Sequence, residues 1–446
     1  MQNYNNYYRP MQYLGAKTRA LGKIVAECDR LYSPNSYVLD LFSGSSIVSQ
    51  ACYNEHKNVI SNDVMGFCCD IASAMLNYGR ENGVENEVLR FVANIKYELL
   101  SYEKLTSCFK SYVERENSYL SQSNLLALKE LYDEIPQVWN SLTGNGGQID
   151  YIYHHLGKTV SANAMLITNY YAGSYFGIKQ ALDMDYILNK IHSAQLKNSW
   201  VRNVLLTALY NTCSYAVNSA GKHFAQPIQI SDDNIHKITN VRLIENRKYD
   251  IFNIFEECVR KILKSASQSQ SRSPYANVVL NMDICSSDFL EEIKKYDISV
   301  IYADPPYTAQ QYSRFYHIPE VLHNYVYPVL QIFRGKITKG LYPEKKYKSP
   351  FCSKRQAWHS FIRIFELSKT LGANLVLSYS ESKTEETGNE RMVTLDDILR
   401  MSSSILSDYK IRQVDFDFEY KQLNNKDKVV RNKEDKEILL VYEKEQ

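Results

Sequence analysis

Residues 37–53, Tyr-Val-Leu-Asp-Leu-Phe-Ser-Gly-Ser-Ser-Ile-Val-Ser-Gln-Ala-Cys-Tyr, combine three structural signals in one short stretch. The apolar run from Tyr37 to Phe42 predicts a buried strand, and the Ser-Gly-Ser-Ser sequence after it predicts a tight loop. An apolar, helix-like segment from Ile47 to Tyr53 follows directly. This order of strand, loop and helix predicts the first unit of an α/β fold.

A second apolar segment, residues 58–61, predicts the next strand and runs into Asp63. An acid about 20 residues after the first strand stands where a βαβ unit binds the hydroxyls of a ribose. The loop is a weak signal by itself, because it retains only Gly44 and carries Ser46 where a third glycine is expected. Asp63 is therefore a candidate ligand-binding residue that needs support from other motifs.

The sequence changes character between residues 81 and 274, where long periodic stretches such as 87–105 and 198–217 predict helices. Strand patterns then return at residues 277–280, 298–303, 374–379, 412–420 and 437–442. The last two patterns suit an antiparallel pair. We predict a mostly parallel sheet flanked by helices, built from residues 1–80 and 275–446, with a mainly helical domain inserted at 81–274.

Composition excludes several classes of protein. The net charge of +2 does not indicate a polyanion partner, so a nucleic-acid surface would require local clustering of charge. The nine cysteines show no spacing typical of a zinc site, and we expect them to be reduced, with no metal bound. Because the chain has neither an apolar run of about 20 residues nor the apolar region of a signal peptide, we expect a cytoplasmic protein with no membrane partner.

The tetrapeptide Asp304-Pro305-Pro306-Tyr307 closes the predicted strand 298–303. It places a carboxylate, a rigid backbone carbonyl and an aromatic face together. The two acceptors suit the two hydrogens of an amino group on a flat heterocycle, while the aromatic ring can stack on that heterocycle. This tetrapeptide therefore predicts the catalytic site of an enzyme that modifies such an amine.

One strongly basic stretch runs from Arg334 to Arg355 and contains a single acid, Glu344. Aromatic residues are interleaved with its lysines and arginines, as in many nucleic-acid surfaces. A solvated loop explains the same pattern equally well.

Four blocks occur in the order found in N6-adenine DNA methyltransferases whose cofactor motifs precede the catalytic motif, and the chain resembles that family. The blocks are Tyr13-Leu-Gly-Ala-Lys17, Asp40-Leu-Phe-Ser-Gly44, Asp63 and Asp304-Pro-Pro-Tyr307, with Asn281-Met-Asp283-Ile284 as a further match. The resemblance implies a Rossmann-like methyltransferase core, a seven-stranded, mostly parallel sheet with an antiparallel C-terminal hairpin. It also implies that the insertion recognises the DNA target.

The same resemblance implies S-adenosylmethionine as cofactor, with S-adenosylhomocysteine as product. The residues it assigns to the cofactor are Tyr13, Gly15, Lys17, Asp40, Phe42, Gly44, Asp63, Asp283 and Ile284. Asp304 and the Pro305 carbonyl, with Pro306 beside them, would hold the amine of an adenine flipped out of duplex DNA. Tyr307 would stack on the flipped base, at about 1–3 kcal/mol per base.

The residues predicted to contact DNA lie on both sides of the catalytic motif. They are Lys222, His223, Arg314, Lys345, Lys346 and Lys348. The runs 171–177 and 221–227 also resemble segments of this methyltransferase group. Their aromatic and amide side chains either reach base edges or pack the insertion onto the core, and the sequence leaves both interpretations open.

Several alternatives remain at this stage. The resemblance implies a bacterial, nucleoid-associated enzyme, which either works with a cognate restriction endonuclease or acts alone. Structured RNA is an alternative substrate for the same chemistry. The side-chain amide of a protein glutamine is another, although enzymes that methylate it usually carry Asn at the position of Asp304. A DNA-binding protein without turnover is a further reading. Asp288 and Glu292-Ile-Lys294 only loosely imitate a metal-dependent nuclease motif.

Overall fold

The computed structural model describes residues 7–78, 84–135, 165–196, 198–230, 238–268, 277–380, 390–416 and 437–445. Within these residues, seven strands form one sheet and two short strands form a separate hairpin. The strands are β1 (Tyr37–Asp40), β2 (Asn58–Asn62), β3 (Val278–Leu280), β4 (Ile298–Ala303), β5 (Ile332–Phe333), β6 (Lys336–Ile337), β7 (Asn374–Ser380), β8 (Tyr409–Asp415) and β9 (Glu437–Lys444).

The large sheet has the strand order β3-β2-β1-β4-β7-β9-β8. Its first five strands are parallel, while β9 runs antiparallel to both β7 and β8. The predicted seven-stranded, mostly parallel sheet with an antiparallel C-terminal hairpin is therefore confirmed. The strand predicted at 412–420 begins earlier, at Tyr409, and the end of that prediction, 417–420, falls outside the described residues.

Helices precede the first strand, connect later strands along the chain and pack against the sheet. Before β3 they are α1 (Leu21–Leu31), α2 (Ile47–Asn54), α3 (Gly66–Leu76), α4 (Val84–Tyr97), α5 (Leu99–Thr106), α6 (Lys110–Ser121), α7 (Leu125–Glu134), α8 (Leu166–Tyr171), α9 (Ile178–Ser193), α10 (Ser199–Ala216), α11 (Ile238–Arg247) and α12 (Ile251–Gln268). After β3 they are α13 (Ser287–Ile293), α14 (Tyr312–Phe315), α15 (His317–Asn324), α16 (Ala357–Leu371) and α17 (Leu395–Ile405). The helices predicted between β2 and β3 are thus present, although the stretch 87–105 forms two helices, α4 and α5.

The central strands are buried on both faces, as expected for a parallel sheet covered by helices. Val38 and Val300 share an apolar cluster with residues of α1 and α2. Their neighbours Leu39 and Ile301 belong to a different cluster, which includes residues of α13 and α16. Because successive side chains of a strand point to opposite faces, a single apolar run contributes to both clusters.

Helix α3 connects the sheet to the helices that follow it. The Trp200 indole on α10 donates to the Ala74 carbonyl over 3.0 Å, and the Tyr210 hydroxyl donates to Asp70 over 2.6 Å. These buried polar contacts give α10 a defined position against the core. No helix among the described residues is both long and apolar enough to cross a membrane.

Candidate active site

The carboxyl ends of β1, β2, β3 and β4 open onto one cavity of about 490 Å³. Parallel strands bring their carboxyl ends to the same edge of a sheet, which is where open α/β folds bind ligands. All the residues predicted for catalysis and cofactor binding line this cavity: Tyr13, Gly15, Lys17, Asp40, Phe42, Gly44, Asp63, Asp283, Ile284, Asp304, Pro305, Pro306 and Tyr307. The structure thus brings these residues together.

Asp40, the last residue of β1, is a buried acceptor that is only partly used. The Ser49 hydroxyl donates to its Oδ2 over 2.6 Å, whereas the buried Oδ1 has no hydrogen-bond partner within the described part of the chain. Burial raises the pKa of Asp40 to about 7, although the Ser49 hydrogen bond favours the ionised form. An unmet acceptor in the cavity wall suits a ligand that carries N–H groups.

Asp63 holds the loop after β1 against the end of β2. Its Oδ2 accepts from the Gly44 backbone N–H and its Oδ1 from that of Met65, both over 2.9 Å. Burial raises the pKa of Asp63 to about 6, and the two backbone hydrogen bonds oppose that rise. Since each carboxylate oxygen has two lone pairs, Asp63 retains capacity to accept from a ligand hydroxyl.

Tyr13 lines the cavity and packs against this loop. Its ring stacks on Tyr316 with centroids 4.6 Å apart, and the Tyr316 hydroxyl accepts from the Leu14 backbone N–H over 2.6 Å. A Cβ added to Gly44 would lie 2.7 Å from the Tyr13 ring, and Gly44 has a φ of +49°. Glycine is thus needed both for the backbone conformation and for the approach of Tyr13.

The resemblance implies S-adenosylmethionine as the ligand of this cavity, and on that expectation replacing Gly44 by alanine should weaken its binding by at least about tenfold, because Tyr13 must move away from the loop. Isothermal titration calorimetry would measure the affinity. Gly335→Ala is the matched control, since Gly335 also has a positive φ, +74°, but a Cβ there meets nothing within 4 Å. Equal affinities in the two variants would show that the contact with Tyr13 is unimportant for binding.

Asp304 is part of a chain of buried charges. Its Oδ2 lies 2.9 Å from the Lys17 ammonium, which lies 2.8 Å from Glu437 Oε1. The second oxygen, Oδ1, is buried and has no hydrogen-bond partner among the described residues. Burial raises the pKa of Asp304 to about 6; Lys17 lowers that pKa and Glu437 raises it.

Comparison with known proteins agrees with this arrangement of motifs. A family model, the D12 class N6 adenine-specific DNA methyltransferase, matches residues 13–262, which is more than half of the chain. The chain belongs to this family. It is also 23% identical over 374 residues to the type II methyltransferase M.FokI of Planomicrobium okeanokoites. That match covers 83% of this chain but 44% of M.FokI, so the chain spans less than half of that relative's length.

Glu437 and Tyr347 are among the cavity residues of this D12-class chain that the sequence analysis does not select. Glu437 begins β9, and its pairing with Ser380 of β7 places it at the edge where Asp304 lies. No motif marks it. The Tyr347 hydroxyl donates to Asp283 Oδ2 over 3.0 Å, and Tyr347 lines the cavity. The one sequence feature that indicates a role for Tyr347 is its position among the aromatic residues of the basic stretch 334–355.

Tyr307, the aromatic residue of the methyltransferase motif, is held by its surroundings. The Arg391 guanidinium lies 4.9 Å from the centre of its ring, and the Tyr379 ring meets it edge-on at 5.7 Å. The Met392 backbone N–H donates to the Tyr307 carbonyl over 3.0 Å. These contacts orient the ring beside the cavity.

The residues predicted to contact DNA lie outside the cavity lining and differ in their surroundings. The Lys222 ammonium donates to the Tyr215 carbonyl over 2.8 Å at the end of α10, and the Lys346 ammonium donates to Gln331 Oε1 over 2.6 Å. His223 is half-buried against Phe315, and burial lowers its pKa. Three further residues are exposed cations: Arg314, which lies over the Tyr342 ring, Lys345 and Lys348.

The run 171–177 contributes to packing. Tyr171, Tyr175 and Phe176 are fully buried, and the Tyr175 hydroxyl lies within hydrogen-bonding distance of the carbonyls of Phe224 and Gly340. Of the two interpretations left open by the sequence, the structure favours packing for these three aromatic side chains.

Proposed function

We propose that the protein transfers a methyl group from S-adenosylmethionine to the N6 amino group of an adenine within a specific sequence of duplex DNA. One observation carries this proposal. A single cavity joins the strand-end motif Asp304–Tyr307 to three separate acids at the ends of neighbouring strands. The motif supplies hydrogen-bond acceptors for an amine. The three acids supply hydrogen-bond acceptors for a methyl donor that contains a nucleoside.

The cavity's donor and acceptor set fits S-adenosylmethionine. Asp40 Oδ1, which lacks a partner among the described residues, would accept from the amino-acid ammonium. Asp63 would accept from the ribose hydroxyls, and Asp283, oriented by Tyr347, would accept from the adenine amine of the cofactor. Bound in this way, S-adenosylmethionine supplies an electrophilic methyl group.

The exocyclic amine of adenine is a poor nucleophile, because its lone pair is delocalised into the ring. Asp304 would accept one hydrogen of that amine and the Pro305 carbonyl the other, which orients the lone pair. Asp304 Oδ1 is the oxygen available for this bond, since Oδ2 is paired with Lys17. With a pKa near 6, Asp304 can then take the proton that the methylated nitrogen releases.

Tyr307→Ala should reduce turnover by about ten- to a hundredfold, since the flipped base would lose a stacking partner. A 2-aminopurine placed at the target position reports flipping by its fluorescence, which should rise less on binding the variant than on binding the wild type. Tyr307→Phe keeps the ring and serves as the control. A fluorescence rise that is the same for Ala and wild type would contradict the stacking role.

We further propose that residues 81–274 form the recognition domain and that the exposed cations Arg314, Lys345 and Lys348 contact phosphates. M.FokI is by name a type II methyltransferase, which supports a place for this chain beside a cognate restriction endonuclease in a bacterial cytoplasm. Lys222 and His223 would then act mainly by shaping the segment after α10.

Sequencing of modified adenines in DNA from cells that express the protein tests this function directly. We expect N6-methyladenine at one recurring sequence motif, and none in cells that express Asp304→Ala. If the wild-type protein binds S-adenosylmethionine but leaves DNA unmodified, the proposed substrate is wrong.

A further inference from the structure

Exposed apolar side chains are concentrated in one short segment of the chain, residues 326–333. Nine large apolar side chains are exposed among the described residues, and four of them fall between residues 326 and 333. Val329 is 71% exposed, Phe333 61% and Ile332 60%. Single exposed apolar residues are common on protein surfaces, whereas a group of them typically marks an interaction site.

The last two of these residues form β5, one arm of the β5–β6 hairpin. Phe333 pairs with Lys336 and Ile332 with Ile337. The two turn residues both have positive φ, +51° at Arg334 and +74° at Gly335, which matches a tight two-residue hairpin turn. Arginine is disfavoured at positive φ. The Arg334 guanidinium lies 5.3 Å from the centre of the Phe333 ring.

The base of the hairpin is anchored, although its tip is exposed. The Gln331 backbone N–H donates to the Tyr342 carbonyl over 2.8 Å, and Tyr342 is buried with its hydroxyl donating to the Ala225 carbonyl. The Gln331 side chain accepts from Lys346 over 2.6 Å. The next residue, Tyr347, lines the cavity, so the hairpin and the cavity are tied to one short segment of chain.

We propose that the β5–β6 hairpin inserts Phe333, the residue next to its turn, between base pairs of the DNA and so stabilises the duplex from which the target adenine has been extruded. Apolar wedges of this kind unstack base steps in many DNA-bending proteins. DNA is favoured as the occupant because the stretch 334–355 carries eight cations and one acid. The proposal rests on the proposed function, and it adds a surface outside the cavity.

The test uses two duplexes that carry the sequence the wild-type enzyme methylates in plasmid DNA. In one the target adenine is paired, and in the other it faces an abasic position, where extrusion is less costly. The variant Phe333→Ala should methylate the paired duplex about ten- to a hundredfold more slowly than wild type and the unpaired duplex at close to the wild-type rate.

Two controls separate the wedge from other effects. Glu366→Ala removes an exposed side chain on α16, outside both the cavity lining and the proposed recognition domain, and should change neither rate. Lys345→Glu, a phosphate contact in the proposed interface, should slow both reactions to a similar extent and reduce the salt dependence of binding. Unchanged melting temperatures would show that all variants fold, as expected for exposed positions.

Each other outcome has a definite meaning. Equal loss on both duplexes, or no loss on the paired one, would overturn the wedge. A change from dimer to monomer in sedimentation, with both rates unchanged, would identify the hairpin as a contact between two copies of the chain and would also overturn it. If the wild type methylates no plasmid DNA, the proposed function fails before the hairpin is tested.

Discussion

Asp304→Ala should lower the rate of methyl transfer by at least about 100- to 1000-fold while leaving the affinity for S-adenosylmethionine largely intact. The substitution removes the acceptor that we propose orients the adenine amine and takes its proton. It leaves Asp40, Asp63 and Asp283, the acids proposed to hold the cofactor, in place. Single-turnover transfer of labelled methyl would measure the rate, and calorimetry the affinity.

The buried ion pairs make this variant easier to interpret. Once Asp304 is gone, the Lys17 ammonium still has Glu437 at 2.8 Å, so no cation is left buried without a partner. Asp304→Asn, which keeps the shape but removes the charge, should fold equally well and also lose most turnover. Rates within about tenfold of wild type in the alanine variant would remove Asp304 from the chemistry.

Lys17→Met should move the acid limb of the pH–rate profile to higher pH, and Glu437→Gln should move it to lower pH. In the proposed mechanism Asp304 accepts a hydrogen bond from the amine only when it is ionised, so kcat/KM of the wild type should fall as the pH drops through about 6. Lys17 lowers the pKa of Asp304 and Glu437 raises it. Removing Lys17 therefore raises the pKa of Asp304, whereas removing Glu437 lowers it.

Lys17→Met should also destabilise the fold, because it leaves two buried carboxylates without their shared cation. Losing one partner of a buried pair typically costs about 3–5 kcal/mol. The pKa of Asp304 is already raised, and the variant would raise it further, so the folded state binds the proton more tightly than the unfolded state. The destabilisation should therefore be largest at alkaline pH and smaller as the pH falls through the folded-state pKa.

Kinetics from pH 5 to 9, with urea unfolding at both ends of that range, would test these expectations. Glu437→Gln is the internal control for packing, because it changes charge with little change in shape. Acid limbs that shift in the same direction, or remain in place, would show that Lys17 and Glu437 do not set the pKa of Asp304 in this way.

Local sequence patterns predicted most of the sheet. The runs at 298–303 and 374–379 match β4 and β7 closely, because continuous apolar strands with clear flanking turns are typical of parallel sheets. The C-terminal pattern was displaced by several residues at β8, which is the edge strand and shows mostly exposed or half-buried side chains. A strand with a weakly buried face leaves only a weak periodic signal.

The residues that line the cavity were also predictable as a group. Asp40, Asp63 and Asp304 each follow or end a predicted strand, and parallel strands must bring such residues to one edge. The assignment of partners to these acids was not predictable, since it depends on distances between side chains. Lys17, for instance, was assigned to the cofactor by resemblance, and the structure places its ammonium on Asp304 and Glu437.

The α/β class, the order of the motifs along the chain and the amine-binding role proposed for Asp304–Tyr307 are predictable from the amino-acid sequence, because they follow from short-range periodicity and side-chain chemistry. The contact of Glu437 with Lys17 and the exposure of Phe333 at a hairpin tip arise from the folding of the chain. The position of Glu437 depends on the antiparallel pairing of β9 with β7, and that of Phe333 depends on the hydrogen bond between Gln331 and Tyr342. Such contacts join residues that no local pattern connects, so they exist only after the chain has packed.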